Sequence, residues 1–127
     1  MAADNSEMPV VYSCSGCSSA AQMANHVAIR LDRERHADMS CIAGVGGDVP
    51  SLVRVAKSGR KIVAIDGCPL HCAWRCLERH GVKPDLHFTL TKIGIRKRYH
   101  ADFNEVDATE VFRRIVGELK GESPVDS

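Results

Sequence analysis

Six cysteines among 127 residues carry the chemistry for which this chain is equipped. Cys14 and Cys17 form a CxxC pair and Cys68 and Cys72 a CxxxC pair, while Cys41 stands 27 residues from Cys14 and 27 from Cys68. Thiolates are soft ligands. A CxxC turn can grip one ion with both sulfurs, and four sulfurs complete a tetrahedral zinc site or hold an iron–sulfur cluster. Cys14, Cys17, Cys41, Cys68 and Cys72 are therefore five candidates for a four-coordinate metal centre. Cys76 lies a further helical turn along, and its expected role is packing as a small hydrophobe.

The equal spacing demands elements that bring a cysteine back to one place each time. Ile62 to Ile65 is a short apolar run rich in β-branched residues, broken at Gly67 and Pro69, which is how a buried parallel strand reads. Val10 to Ser13 before Cys14, and Ala37 to Ser40 before Cys41, repeat the arrangement. A strand, a crossover helix and the next parallel strand occupy about 30 residues, so a cysteine with this period returns to the same end of a parallel sheet. Pro69 reads as the start of a helix, which puts Cys68 at or near its N-cap, where unpaired N–H groups favour a thiolate.

These readings give an α/β fold: a single three-layer domain over residues 9–120, with a four-stranded mainly parallel sheet of flavodoxin or Rossmann type and flexible tails at 1–8 and 121–127. In the strand order 2-1-3-4 the first strand is central, so Cys14 and Cys17 lie between Cys41 and Cys68. Cys14, Cys17 and Cys68 are expected as three of the ligands. The fourth place goes to Cys41 in preference to Cys72, which would have to bend back from the far side of its helix.

The connecting segments follow in order. Ser18 and Ser19 offer caps to a helix carrying Ala21, Ala24, Val27, Ala28 and Leu31 through about Arg35, with His26 and His36 off its inner face and read as solvated. Gly44-x-Gly46-Gly47 reads as a loop, a tight turn rather than a phosphate cradle, because it lacks the full dinucleotide fingerprint. Asp48 is the expected N-cap of a helix with Pro50 in its first turn, closed by Gly59. The helix from Pro69 has Leu70, Ala73, Trp74 and Leu77 on one stripe and ends near His80-Gly81.

Leu86 to Ile95 alternates as a fourth, edge strand. Arg96-Lys97-Arg98-Tyr99-His100 reads first as a solvated basic loop and second as a site for an acidic ligand or partner. Asp107-x-x-Glu110 is a capping-box variant opening a last helix with Val111, Phe112, Ile115, Val116 and Leu119 on its apolar stripe.

Composition excludes several function classes. With 17 basic and 16 acidic side chains the net charge is +1, so no global electrostatic case exists for nucleic acid or a membrane surface as partner. The N-terminus, Met1 to Pro9, is polar and acidic, unlike a signal peptide, and no apolar run approaches membrane-spanning length. A cytoplasmic protein is expected. In a reducing compartment six cysteines point to metal or redox chemistry rather than to three structural disulfides.

The motifs Cys14-Ser15-Gly16-Cys17, Cys41-Ile42-Ala43-Gly44-Val45-Gly46-Gly47 and Asp66-Gly67-Cys68-Pro69-Leu70-His71-Cys72-Ala73 closely resemble those of the DGC-domain family, small zinc-binding proteins named for Asp-Gly-Cys. The resemblance covers about Val10 to Val116 and implies zinc held by cysteines. The layout is also similar, more weakly, to the small subunits of nickel–iron hydrogenases and their complex I relatives, which implies an iron–sulfur cluster as the alternative cofactor.

An enzyme reading competes with the metal reading: Cys14 and Cys17 could form a dithiol–disulfide couple, though that leaves the spacing of Cys41 and Cys68 without a purpose. Asp66 reads first as a turn former before Gly67, and otherwise as a residue that orients a ligand or acts as a base. A closed all-cysteine centre leaves no open position for catalysis, so a metal-binding module is favoured, with the metal ion its one nameable partner.

Overall fold

The computed structural model describes residues 8–121, so the tails expected at 1–8 and 121–127 lie, but for Met8 and Gly121, outside the described residues. Four strands, β1 (Val10–Ser13), β2 (Asp38–Met39), β3 (Ile62–Asp66) and β4 (Leu86–Thr89), pair in parallel in the order β2-β1-β3-β4. The mainly parallel sheet expected from the sequence is thus parallel throughout. β1 and β3 are central and every residue in them is buried, which is why they read as continuous apolar runs rather than as an alternation.

Helices α1 (Ser19–Arg33), α2 (Ile42–Gly46), α3 (Pro50–Ala56), α4 (Cys72–Glu78) and α5 (Glu105–Leu119) cover the two faces. Val11, Val63, Ile65 and Phe88 pack with Met23, Val27 and Leu31 of α1 and with Val111, Phe112 and Ile115 of α5. On the other face Val10, Tyr12, Ile62 and Ala64 meet Val45 of α2, Ala56 of α3 and Leu77 of α4. Alternate residues of each strand serve opposite cores, and the result is three layers.

Ser18 caps α1, its Oγ accepting from Ala21 N at 3.1 Å, as its position before the alanine-rich run predicts. The last helix opens one turn earlier than the sequence reading placed it: Asn104, not Asp107, is the N-cap, and its side chain accepts from Asp107 N at 3.0 Å. The fourth strand is shorter than expected. It ends at Thr89, and Leu90–Ile93 tightens into a 3₁₀ turn closed by Gly94 at φ 97°.

The glycine-rich segment after Cys41 is helix α2, not a loop. A Cβ on Gly44 would stand 1.9 Å from Leu52 Cδ1 of α3, and one on Gly46 would stand 2.9 Å from Cys76 Sγ of α4. These glycines let three short helices pack closely. Asp48 does not cap α3, whose N-cap is Val49; Asp48 instead pairs with Arg79 at 2.7 Å and His80 at 3.0 Å, tying this corner to α4. His26 and His36 are not simply solvated: each is half-buried, against Phe103 and Phe112 respectively.

Candidate metal centre

In a doubly wound sheet the chain leaves neighbouring strands toward opposite faces at one point, and a crevice opens there beyond the carboxyl ends. Here that point lies between β1, whose chain turns into α1 on one face, and β3, whose chain turns into α4 on the other. Cys14 and Cys17 follow β1, and Cys68 and Cys72 follow β3. All four line a single cavity of about 200 Å³, with Asp66, His71, Lys97 and Tyr99 also in its wall.

Cys41 leaves its strand at the same end of the sheet but is not in that wall. The reason is register. Val10, Asp38 and Ile62 stand level across the sheet, and from that level Cys14 lies four residues on, Cys41 three and Cys68 six. The strands themselves recur after 28 and then 24 residues, so the even 27-residue cysteine period does not put the sulfurs at one height. Cys41 also follows an edge strand, outside the crevice, where it is exposed as the N-cap of α2.

Cys68 and Cys72 are placed differently from the sequence reading. Pro69 does not begin the helix: Cys68-Pro69-Leu70-His71 is a turn, closed by His71 N donating to Cys68 O at 3.1 Å. His71, at φ 54°, is the N-cap, and α4 starts at Cys72. Cys68 therefore has no helix end beneath it. Cys72, the first helical residue, reaches the cavity without bending back, while Leu70, expected on the buried stripe, is 62% exposed. Cys76 is outside the cavity wall, packed toward Gly46.

Asp66 carries more than a turn. It is fully buried, and its carboxylate accepts from Ala73 N at 2.8 Å, Trp74 N at 3.1 Å and His87 Nε2 at 2.8 Å. A side chain from β3 thus caps the helix that presents Cys72. His71 is braced in turn by Thr89, with 3.1 Å between Nε2 and Oγ1, and its ring meets that of His87 edge-on at 4.8 Å. Burial, more than the nearby His87, Lys92 and Arg75, lowers the His71 pKa. Neither histidine was singled out from the sequence, and their isolated positions there gave no sign of this network.

Gly67 lets the turn exist at all. A Cβ there would lie 2.7 Å from the Ala20 carbonyl carbon and 2.8 Å from Ala21 N, so only glycine allows the first turn of α1 to pass this close. The same closeness puts Gly67 N 3.2 Å from Cys14 Sγ, to which it donates. Burial pushes the Cys14 thiol up to about 11, against a hydrogen bond from Gly67 that pulls it down and nearby Asp66, Cys72 and Cys68 that add to the rise. Lys97 Nζ donates to Cys68 Sγ at 3.3 Å. Hydrogen bonding to Tyr99, and next to Cys68, raises the Lys97 pKa.

Four free thiols on one cavity, two of them already receiving N–H donors, are side chains that could hold a metal ion as thiolates. Among the described residues no three Cys, His, Asp or Glu side chains yet converge on one point. Cys17 and Cys72, exposed at the mouth, are the two whose side chains are least held.

Residues 10–115 match the profile of the DGC domain. A curated relative, the anaerobic and virulence modulator AnvM of Pseudomonas aeruginosa, is 62% identical over 105 residues, covering 83% of this chain and 80% of that protein. No solved structure matches. A DGC profile spanning β1 to α5, with the Asp-Gly-Cys triplet at the turn that supports both Cys14 and Cys68, makes this chain a member of the DGC-domain family.

Proposed function

We propose that this protein is a metal-binding module that holds one zinc ion through the thiolates of Cys14, Cys17, Cys68 and Cys72. The observation that carries this reading is the single cavity at the switch point of the sheet, in whose wall these four cysteines and neither of the other two lie. Cys14 and Cys68 supply the inner sulfurs, each with an N–H donor, and the exposed Cys17 and Cys72 turn inward to complete the set. Four thiolates close a tetrahedral site and leave no position for a substrate, so the role is binding rather than catalysis.

The reading takes the protein to act in a reducing compartment, where its thiols stay free. No helix among the described residues is long and apolar enough to cross a membrane. The Pseudomonas relative is named an anaerobic and virulence modulator, which supports a regulatory rather than an enzymatic role.

The test is zinc titration of reduced protein against a competing chromophoric chelator, with each cysteine changed singly to serine. Loss of a ligand weakens binding at least as much as loss of an outer partner, about 10- to 100-fold. That drop is expected for Cys14→Ser, Cys17→Ser, Cys68→Ser and Cys72→Ser and not for Cys41→Ser or Cys76→Ser. A loss at Cys41 with none at Cys72 overturns the ligand set. Brown, iron-containing protein from anaerobic purification overturns zinc in favour of a cluster.

A further inference from the structure

The basic stretch Arg96–His100, read from sequence as a solvated loop, is fastened to the first turn of α1. Ser19, only 4% exposed, donates its backbone N–H to Arg98 O at 2.8 Å. Its Oγ accepts from Arg98 N at 3.0 Å and donates to Arg96 O at 3.4 Å. One buried serine therefore holds both neighbours of Lys97. The lysine between them reaches over the cysteine cavity, with Nζ 3.3 Å from Cys68 Sγ and 5.2 Å from the centre of the Tyr99 ring.

The charge at this site needs such a group. Four thiolates exceed the charge of a divalent ion, and the buried Asp66 carboxylate in the same wall adds to the excess. Among the described residues Lys97 is the one lysine or arginine lining the cavity. An ammonium has three donors and no lone pair, so beside a sulfur it gives a charge-assisted hydrogen bond without competing as a ligand. The peptide N–H of Gly67 does the same for Cys14 without a formal charge.

We propose that Lys97 is the charge-balancing and positioning residue of the cysteine centre, its ammonium offsetting the excess negative charge of the thiolate-held ion and fixing the Cys68 sulfur at the cavity wall. This deepens the metal-binding reading and rests on it. It also gives the basic segment a purpose: Ser19 fastens the backbone so that one of its cations faces inward, while Arg96 and Arg98 remain exposed outside the cavity wall.

The test compares the wild type with Lys97→Met, which keeps the apolar stem and loses the charge, and Lys97→Arg, which keeps the charge. Zinc affinity is expected to fall about 10- to 100-fold in Lys97→Met, the usual cost of losing an outer partner of a metal ligand, and to return to within a few-fold of wild type in Lys97→Arg. In the cobalt-substituted protein the sulfur-to-metal charge-transfer band should shift in Lys97→Met only, which a mere loss of folding stability would not produce. Equal affinity of Lys97→Met and wild type, or equal loss in both variants, overturns the proposal.

A metal-free measurement separates this inference from the reading beneath it. Iodoacetamide labelling mapped by mass spectrometry should be slower at Cys68 in Lys97→Met than in wild type, with Cys17 unchanged. Wild type that binds no zinc while Cys68 labelling still follows Lys97 sinks the metal reading and leaves the Lys97–Cys68 pairing standing. Wild type that binds zinc, with neither affinity nor Cys68 labelling responding to Lys97, sinks the pairing alone.

Discussion

Asp66 Oδ2 accepts a hydrogen bond from His87 Nε2 at 2.8 Å, joining the end of β3 to the edge strand β4 directly behind the turn that carries Cys68. The same carboxylate holds the first N–H groups of α4, so one fully buried side chain aligns strand, turn and helix. Asp66→Ala leaves three donors without this partner, the buried Ala73 N and the part-buried Trp74 N and His87 Nε2, and a buried unpaired donor costs about 1–3 kcal/mol. Urea denaturation of the metal-free protein is expected to show a loss of more than about 2 kcal/mol, with a smaller loss in Asp66→Asn, which retains one acceptor oxygen. A wild-type midpoint for Asp66→Ala would contradict this role.

Gly67→Ala is expected to damage fold and site together. The added Cβ meets backbone of Ala20 and Ala21 rather than a side chain that can swing away, so α1 or the turn must shift. Overpacking of this kind costs about 1–3 kcal/mol. Since Gly67 N also donates to Cys14 Sγ, zinc affinity should fall along with the melting temperature. Gly59→Ala is the contrast: nothing lies within 4 Å of its Cβ position, and its φ of 90° makes any cost one of backbone conformation, with metal binding unaffected.

The thiol of Cys14 gives a pH dependence with a definite sign. Its folded pKa of about 11 lies above the ordinary 9.0, so the folded state keeps a proton that the unfolded state releases first. The stability this contributes is complete below pH 9.0 and is lost as pH rises from there through about 11. Urea midpoints of metal-free wild type should fall across that window more steeply than those of Cys14→Ser. Cys76 is shifted in the same direction by burial, so the difference between the two proteins, not the slope itself, is the diagnostic.

Ser19→Ala removes the Oγ bonds to Arg96 O and Arg98 N and frees the segment that carries Lys97. A lost buried hydrogen bond costs about 1 kcal/mol. The larger expected effect is on metal affinity, which should approach that of Lys97→Met. An affinity unchanged from wild type would show that Lys97 finds Cys68 without the serine.

Much of the fold was legible because parallel strands buried on both faces leave unmistakable runs. Val10–Ser13 and Ile62–Asp66 stand out for that reason, and a recurring strand–cysteine–helix unit allows few topologies. The strand order, the cap at Ser18 and the apolar stripes of α1 and α5 follow from local pattern. Less legible were segments whose conformation is set by a distant neighbour. Gly44 and Gly46 look like loop residues until Leu52 and Cys76 are seen to need the space, and Pro69 looks like a helix start until Asp66 is seen capping the helix three residues later.

The cysteine set, its delivery to one end of a parallel sheet and the nearness of Cys14, Cys17 and Cys68 to one another can be read from the chain alone, because each depends only on residue type, strand period and chain direction. Between Cys41 and Cys72, the tertiary fold puts only Cys72 in the cavity wall shared by Cys14, Cys17 and Cys68. That choice turns on strand register, which shifts Cys41 and Cys68 by different amounts relative to Cys14, and on the crevice falling between β1 and β3 rather than beside β2. Lys97, Ser19, His71 and His87 entered for a related physical reason: each is tied to a partner far along the chain, Lys97 to Cys68, Ser19 to Arg98, His71 to Thr89 and His87 to Asp66, and hydrogen bonds across such separations leave no periodic trace in a sequence.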